Sequence, residues 1–578
     1  MQHGLRAAVG LYLAFGVASA TAACGSKPDE SDFTPDARAP ESCSTGAAKC
    51  DGNDYLVCDG DVFVLSESCA DVCVPELGCV ACQPFTGTCN GEVSTMCTGD
   101  GAGYIDVLCD PVQGMSCNFE TGICDGDCAP QFIGTNYIGC DYYPTITGNE
   151  VANNFLFAVA ISNTQNQPAD ITIDGGGLVA PDTFTVAPDS VETRTLPWVD
   201  ALKACTVFDA NGCGGPDTLS AMVPGGGYHL RSTQPVTVYQ FNPLDYEMGK
   251  MNSFTNDASL LMPTNAMSGT YHVAAWPGWD TMTVLGELPG LMAVTATQDA
   301  TSVTITTSSA THAGGGIGAF SPGAPQTLTM NAGDVVQLFS VGGDLTGSTV
   351  DADKPVQVIG GHFCTNIPAD VPACDHIEES MFPLATLGTR YVVTSPAPAS
   401  KGQIVRIIAT APDTTLIFNP EQTGVPTTLA NAGDFVQIDD TTAPFEVAGN
   451  HRLLVSQYMQ GQNVGGGTGD PAMTLAVPVE QYRTTYMFHA PTNYEVNYVN
   501  IIAPLTALIT LDGTVLPTNF APIGNSGWGF TRQTLDDSGT GTHLIESDEQ
   551  FGVLVYGYGQ FTSYWYPAGL DLSPIDID

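Results

Sequence analysis

Fourteen of the chain's 19 cysteines fall between Cys43 and Cys140. A segment so rich in cysteine and so poor in large apolar side chains must be held by crosslinks rather than by a buried core. The cysteines repeat. Cys43, Cys50 and Cys58 recur at Cys82, Cys89 and Cys97, each 39 residues later, and Cys69 recurs at Cys109 after 40. Cys73 and Cys79 correspond more loosely to Cys117 and Cys124. This spacing predicts a disulfide module over residues 43–138 in two copies, with Cys128 and Cys140 left as a closing pair. Connectivity within each copy stays open. Zinc is the weaker reading, because the region has no histidine and export favours disulfides. Calcium is weighed on Asp59-Gly60-Asp61 and Asp125-Gly126-Asp127, but Asp-Gly is foremost a turn dipeptide. No cofactor is assigned, and calcium stays as an option without ligands.

The export reading comes from residues 1–23. A short basic opening with Arg6 precedes an apolar run from Ala7 to Ala20, and Thr21-Ala22-Ala23-Cys24 follows. The layout is that of a secretory signal, too short to span a bilayer. Its end resembles a bacterial lipobox with Cys24 as the lipidated residue; cleavage leaving a free thiol is the alternative. Parity favours lipid, since setting Cys24 aside leaves an even number of cysteines to pair. Residues 24–42 then read as a flexible tether. Gly25 follows the cysteine, which points to the outer membrane or cell surface. The membrane contact expected is through the lipid anchor alone.

From residue 139 the text changes to β-branched runs punctuated by Gly, Pro, Asn and Asp, the pattern of strands and turns. Units of about 100 residues recur. Ala332-Gly333-Asp334-Val335-Val336-Gln337 returns as Ala432-Gly433-Asp434-Phe435-Val436-Gln437. One strand occurs four times, ending at Val238, Val358, Val455 and Val555, and unit starts match at Gly269-Thr270-Tyr271 and Gly388-Thr389-Arg390-Tyr391. Six or seven short strands per unit predict an all-β fold of tandem β-sandwich-like repeats over 139–567, with a β-propeller as the alternative. Residues 568–578 form a tail.

Within this region Gly360-Gly361-His362-Phe363-Cys364-Thr365-Asn366-Ile367-Pro368, followed by Cys374-Asp375-His376-Ile377-Glu378-Glu379, resembles the IgGFc-binding protein N-terminal domain family. Gly469-Asp470-Pro471-Ala472-Met473, Pro478-Val479-Glu480-Gln481-Tyr482, Asn497-Tyr498-Val499 and the opening Gly139-Cys140-Asp141-Tyr142 resemble it too. The resemblance implies recognition rather than chemistry. It also implies a Cys364–Cys374 disulfide. The competing reading takes His362, Cys364, Cys374 and His376 as four zinc ligands. Cys205 and Cys213, joined by a Gly-rich octad, form the other natural pair.

Charge narrows the partners. Sixty-one acids against 15 bases give a net charge of −46. Such a surface repels phosphate backbones and anionic lipid, which argues against nucleic acid. No His-Glu-x-x-His, Gly-x-Ser-x-Gly or phosphate-binding loop occurs. The reading is therefore a non-enzymatic surface lipoprotein that binds a surface protein or glycan; the alternative is an extracellular hydrolase acting on a polymer. Tyr556, Tyr558, Tyr564, Trp565 and Tyr566, read as one strand, are expected to serve as packing, with an aromatic binding platform as the sharper alternative.

Overall fold

The computed structural model describes residues 43–575 apart from 206–207, 210–211, 214–218, 281–285, 399–400, 465–467, 518 and 537–538. The export signal, Cys24 and the tether lie outside the described residues. The chain divides into two compact units, residues 1–83 and 84–578, so the boundary falls between the two cysteine-rich copies.

In the first unit, strands Ala48–Asp51, Asp54–Asp59 and Val62–Ser68 form an antiparallel meander beside a hairpin of Val72–Val74 and Gly78–Val80. Disulfides Cys43–Cys58, Cys50–Cys73 and Cys69–Cys79 staple it. Gly60 takes φ +66° in the two-residue turn that joins Asp59 to Val62, so Asp59-Gly60-Asp61 is a hairpin turn.

The second unit opens with the other copy, a meander of Gly87–Asn90, Val93–Cys97 and Tyr104–Leu108. Its bonds Cys89–Cys117 and Cys109–Cys124 repeat the connectivity of Cys50–Cys73 and Cys69–Cys79. Cys128–Cys140 then ties this copy to the first strand of the β region. Arg231 reinforces the junction, binding Asp110 at 3.0 Å and also Asp174.

Four repeats follow among the described residues, and each is a two-sheet antiparallel sandwich with one strand order. In repeat I, Tyr228–Phe241 is long enough to serve both sheets. Its first half pairs with Gly139–Tyr142 and Ala169–Gly175, and its second half with Phe157–Asn163 and the closing strand. Repeat IV does the same with Thr542–Gly559. Repeats II and III break this strand in two, into Thr349–Ala352 and Val356–Thr365, and into Phe445–Gly449 and Leu453–Met459. Pro235 and Pro355 sit at the change of sheet, where a missing N–H costs no ladder bond.

The closing strands are β1 (Ala258–Leu260), β2 (Asp375–Ser380), β3 (Met473–Leu475) and β4 (Thr562–Pro567). β1 packs against β2 and β4, and β3 against the same two, so the four sandwiches form a ring closed at its centre. Equivalent backbone bonds fix the correspondence: Leu261, Met381, Ala476 and Ala568 donate to Val238, Val358, Val455 and Val553. The fourth copy of the recurrent strand is thus aligned on Val553 rather than Val555. A slip of two residues keeps the same side chains on the same face, which is why the sequence pattern tolerates it.

One tyrosine locks each sandwich. Tyr142, Tyr271, Tyr391 and Tyr486 donate to the carbonyls of Val236, Val356, Leu453 and Phe551. Each also accepts the backbone N–H three residues earlier, at 3.0, 3.0, 3.2 and 2.8 Å. All four rings are buried, so the hydroxyl needs both partners.

Candidate functional site: a sealed polar hub and an open groove

The closing strands bring five carboxyl groups to the centre of the ring: Asp257, Asp375, Glu378, Glu379 and Asp470. All are buried, at 0–1% exposure. Asp257 lies where the repeats meet. Its two oxygens accept the backbone N–H of Ala258 (2.9 Å), Glu378 (3.0 Å), Met473 (2.9 Å) and Trp565 (3.2 Å). These four residues follow from the Leu261, Met381, Ala476 and Ala568 correspondence, one per repeat, so a single carboxylate collects the same N–H from every sandwich. Four converging N–H dipoles make an anion cradle, and the chain fills it with its own side chain. Ile377, Ala472 and Tyr564 occupy the equivalent positions, which spares the axis four like charges. Burial pushes the Asp257 carboxyl well above its usual range, and the N–H donors pull it back.

Around it, Glu378 accepts from Gln240 Nε2 at 2.7 Å, Asn242 Nδ2 at 3.3 Å and the Thr147 hydroxyl. His376 Nε2 lies 3.3 Å from the same carboxylate, with no exposure. Burial raises Glu379, which meets the Ser380 N–H at 3.0 Å and Thr474 at 3.4 Å. Asp470 is raised by burial to about 7, and Lys401, whose ammonium reaches the carbonyls of Thr468 and Gly469, is lowered by burial to about 8.

The residues singled out by the sequence separate here. Cys364 and Cys374 are joined by a disulfide with S–S 2.04 Å, so their sulfurs are not thiolate ligands. His362 is buried and accepts the Cys364 N–H on Nδ1 at 3.1 Å; burial lowers it to about 3. Cys128 and Cys140 are bonded at the junction described above. Cys205 is buried, and the Cys213 side chain lies outside the described residues. The aromatic run occupies two strands, the end of Thr542–Gly559 and β4, and all five rings are buried, so they form packing and not a platform. Asp257 was not singled out by the sequence: an Asn-Asp pair before a short strand reads as a turn, and only register shows its partners.

An accessible cleft of about 680 Å³ lies between repeats II and III, lined by Ser308, Asp344, Thr346, Asp434 and Phe435 among others. Buried Arg406 contacts three of the lining residues, Asp344, Thr346 and Phe435. It pairs with Asp344 at 2.9 Å, donates to Ala275 O and Thr346 Oγ1, and stacks its guanidinium 4.2 Å from the Trp276 ring. Gly347 and Gly433, both left-handed, abut across the two repeats; a Cβ on Gly347 would meet Gly433 O at 2.3 Å.

Comparison with known proteins bears on this arrangement. The family model described as IgGFc binding protein matches residues 257–557, more than half of the chain. The chain belongs to the IgGFc-binding family. Its matched segment opens on Asp257 itself, at the closing strand of repeat I, and runs into the long strand of repeat IV. The IgGFc-binding protein of Homo sapiens is 26% identical over 331 residues, covering 56% of this chain and 6% of that protein. The chain therefore spans a small part of the length of that relative. Repeat I lies mostly before the family match, and its strand order nonetheless repeats that of the matched sandwiches.

Proposed function

We propose that this chain is a non-catalytic recognition protein, exported and held at the outer membrane or cell surface by lipid on Cys24. In this reading the β region binds a protein or glycan on a neighbouring surface. Membership of the IgGFc-binding family carries the proposal, since the human relative is named for binding the Fc region of immunoglobulin G. The chemistry agrees with it. The hub's carboxylates and His376 are buried inside the ring, whereas the groove between repeats II and III offers hydroxyls, carboxylates and an aromatic edge to a partner.

The test uses the full mature chain, immobilised and probed with immunoglobulin Fc fragments, with cell-surface extracts and with a glycan array. Saturable binding that is weakened at least tenfold by Asp434→Arg in the groove supports the reading. Turnover of a polymer substrate, abolished by one Asp, Glu, Ser or His substitution that leaves the fold intact, would replace it with the hydrolase. Anchoring is tested separately: Cys24→Ala should move the protein from membrane to soluble fractions and end fatty-acid labelling.

A further inference from the structure

The four sandwiches treat one sheet edge differently. In repeat II the sheet does not stop at Val335–Phe339. Ala221–Val223, sent over from repeat I, adds an antiparallel strand, with Ala221 opposite Gln337 and Val223 opposite Val335. Its flanks are bonded too: Phe339 N–H reaches Ser220 Oγ at 3.1 Å, Gly225 N–H reaches Asp334 Oδ1 at 2.9 Å, and Gly227 N–H reaches Gly333 O at 2.9 Å. Repeat IV covers the equivalent edge, Trp528–Thr534, with its own Ala521–Pro522. In repeat I the edge strand Ser190–Leu196 ends its sheet, and Arg194 folds onto Phe184 beside it, a charged and guarded edge.

Repeat III has the same edge and no added strand. Residues 432–437 repeat the text of 332–337, and among the described residues Phe435–Thr441 ends its sheet. Chain length explains the difference. Repeat I has residues 197–227 between the corresponding strands, enough to cross to repeat II and return. Repeat II has only 340–348, which reach as far as Gly347 against Gly433. The cleft between the two repeats begins on this bare strand, being lined by Asp434, Phe435 and Val436 of the edge and by Asp344 and Thr346 of the short connection. Ala409 N–H donates to Asp434 O at 2.9 Å, so the alternation of an antiparallel ladder turns the N–H and C=O of Phe435 and Gln437 outward, away from Gln403–Ala409. Asp334 also accepts the Asn331 N–H; Asp434 repeats that bond with Asn431 at 2.9 Å, without a counterpart of Gly225 among the described residues.

An outward row of backbone groups beside a cleft is a template for another strand. We propose that the edge Phe435–Thr441 takes an extended peptide segment of a partner protein by antiparallel strand addition, in the place that Ala221–Val223 fills on repeat II. The chain's own strand defines the occupant: small or apolar residues opposite Phe435 and Gln437, then a glycine turn whose N–H meets Asp434. Main-chain bonds supply the affinity, so the ligand is a protein and not a glycan. The proposal rests on the recognition reading and narrows it to one surface and one ligand class.

The probe is a synthetic peptide with the sequence of residues 219–227, titrated by fluorescence anisotropy onto the full mature chain, oxidised. Saturable binding is expected, with slowed amide exchange over residues 433–441. Met222 N–H turns away from Val335–Phe339, donating to Gly315 O at 3.0 Å, and this supplies the control. Methylating the peptide nitrogen of Met should leave binding unchanged, whereas methylating those of Ala and Val should weaken it about tenfold or more. Gln437→Pro removes an outward N–H and no ladder bond to Gln403–Ala409, so it should weaken binding likewise. The methylated peptides read the same contact on wild-type protein if that variant misfolds. A parent peptide that does not bind, or binding that survives methylation at Ala and Val or a folded Gln437→Pro variant, overturns strand addition. Such a failure beside intact binding of Fc fragments, cell-surface extracts or glycans leaves the recognition reading standing, so the two are told apart.

Discussion

At the scale of single residues, Asp257 has the most depends on it. Its carboxylate satisfies one N–H from each repeat, and none of those donors can turn to water. Asp257→Asn keeps the shape but turns an NH₂ toward two of the donors, so it should destabilise the β region by about 2–5 kcal/mol. Chemical denaturation of the variant checks this, and a loss under 1 kcal/mol would mean the donors have other acceptors. Histidine burial supplies a second prediction. His489 is held near 4 by burial, so the folded state refuses a proton that the unfolded state accepts below about 6.5. Its contribution to stability is therefore unchanged above that value and is lost as pH falls from about 6.5 toward 4. The melting-temperature gap between wild type and His489→Gln should narrow over that window.

At the scale of elements, the repeat is defined by a locked strand. Each of Tyr142, Tyr271, Tyr391 and Tyr486 clamps the first strand of its sandwich to the point where the long strand changes sheet. Tyr→Phe at any of the four removes one buried donor and strands one buried N–H and one carbonyl. Each should cost about 1–3 kcal/mol in equilibrium unfolding, with similar values across the set because the geometry is the same. The contact between repeats II and III obeys a different rule, that of backbone approach. Gly347→Ala has no room for its Cβ and no favourable φ, so it should loosen the contact between repeats II and III and make it open to proteolysis at lower protease concentrations than wild type.

At the scale of the whole molecule, closure of the ring makes the four sandwiches interdependent. Removing repeat IV would strip β4 from both β1 and β3 and take away the Trp565 N–H and Ser563. A chain ending at residue 482 should therefore lose the single cooperative transition of the β region and bind the exposed-core dye ANS. Retention of one sharp transition would show that the sandwiches stand alone. The first cysteine-rich unit depends on covalent bonds instead. With three disulfides and exposed strand residues such as Val62, Val64 and Leu65, it should unfold on reduction under conditions where the β region keeps its circular dichroism.

The amino-acid order alone carried the class of fold, the repeats and the family. Alternating β-branched runs, turn residues and the Gly-Thr-Tyr unit starts are local signals, and local signals survive in one dimension. The tyrosine at each unit start was visible as text, though its bond to a strand about 60 to 95 residues away was not. The aromatic run near the C-terminus shows the limit: Tyr556 to Tyr566 reads as one strand until the turn at residues 560–561 folds it into a hairpin. The hub lay further out of reach. Asp257, Glu378, Met473 and Trp565 are separated by about 90 to 120 residues along the chain, and nothing in their neighbourhoods says that their backbones converge. That convergence follows from ring closure, which is set by how four sandwiches pack, and packing depends on contacts between parts of the chain that sequence periodicity does not relate. Sequence thus determined what each repeat is; tertiary structure alone decided that a single carboxylate would hold all four.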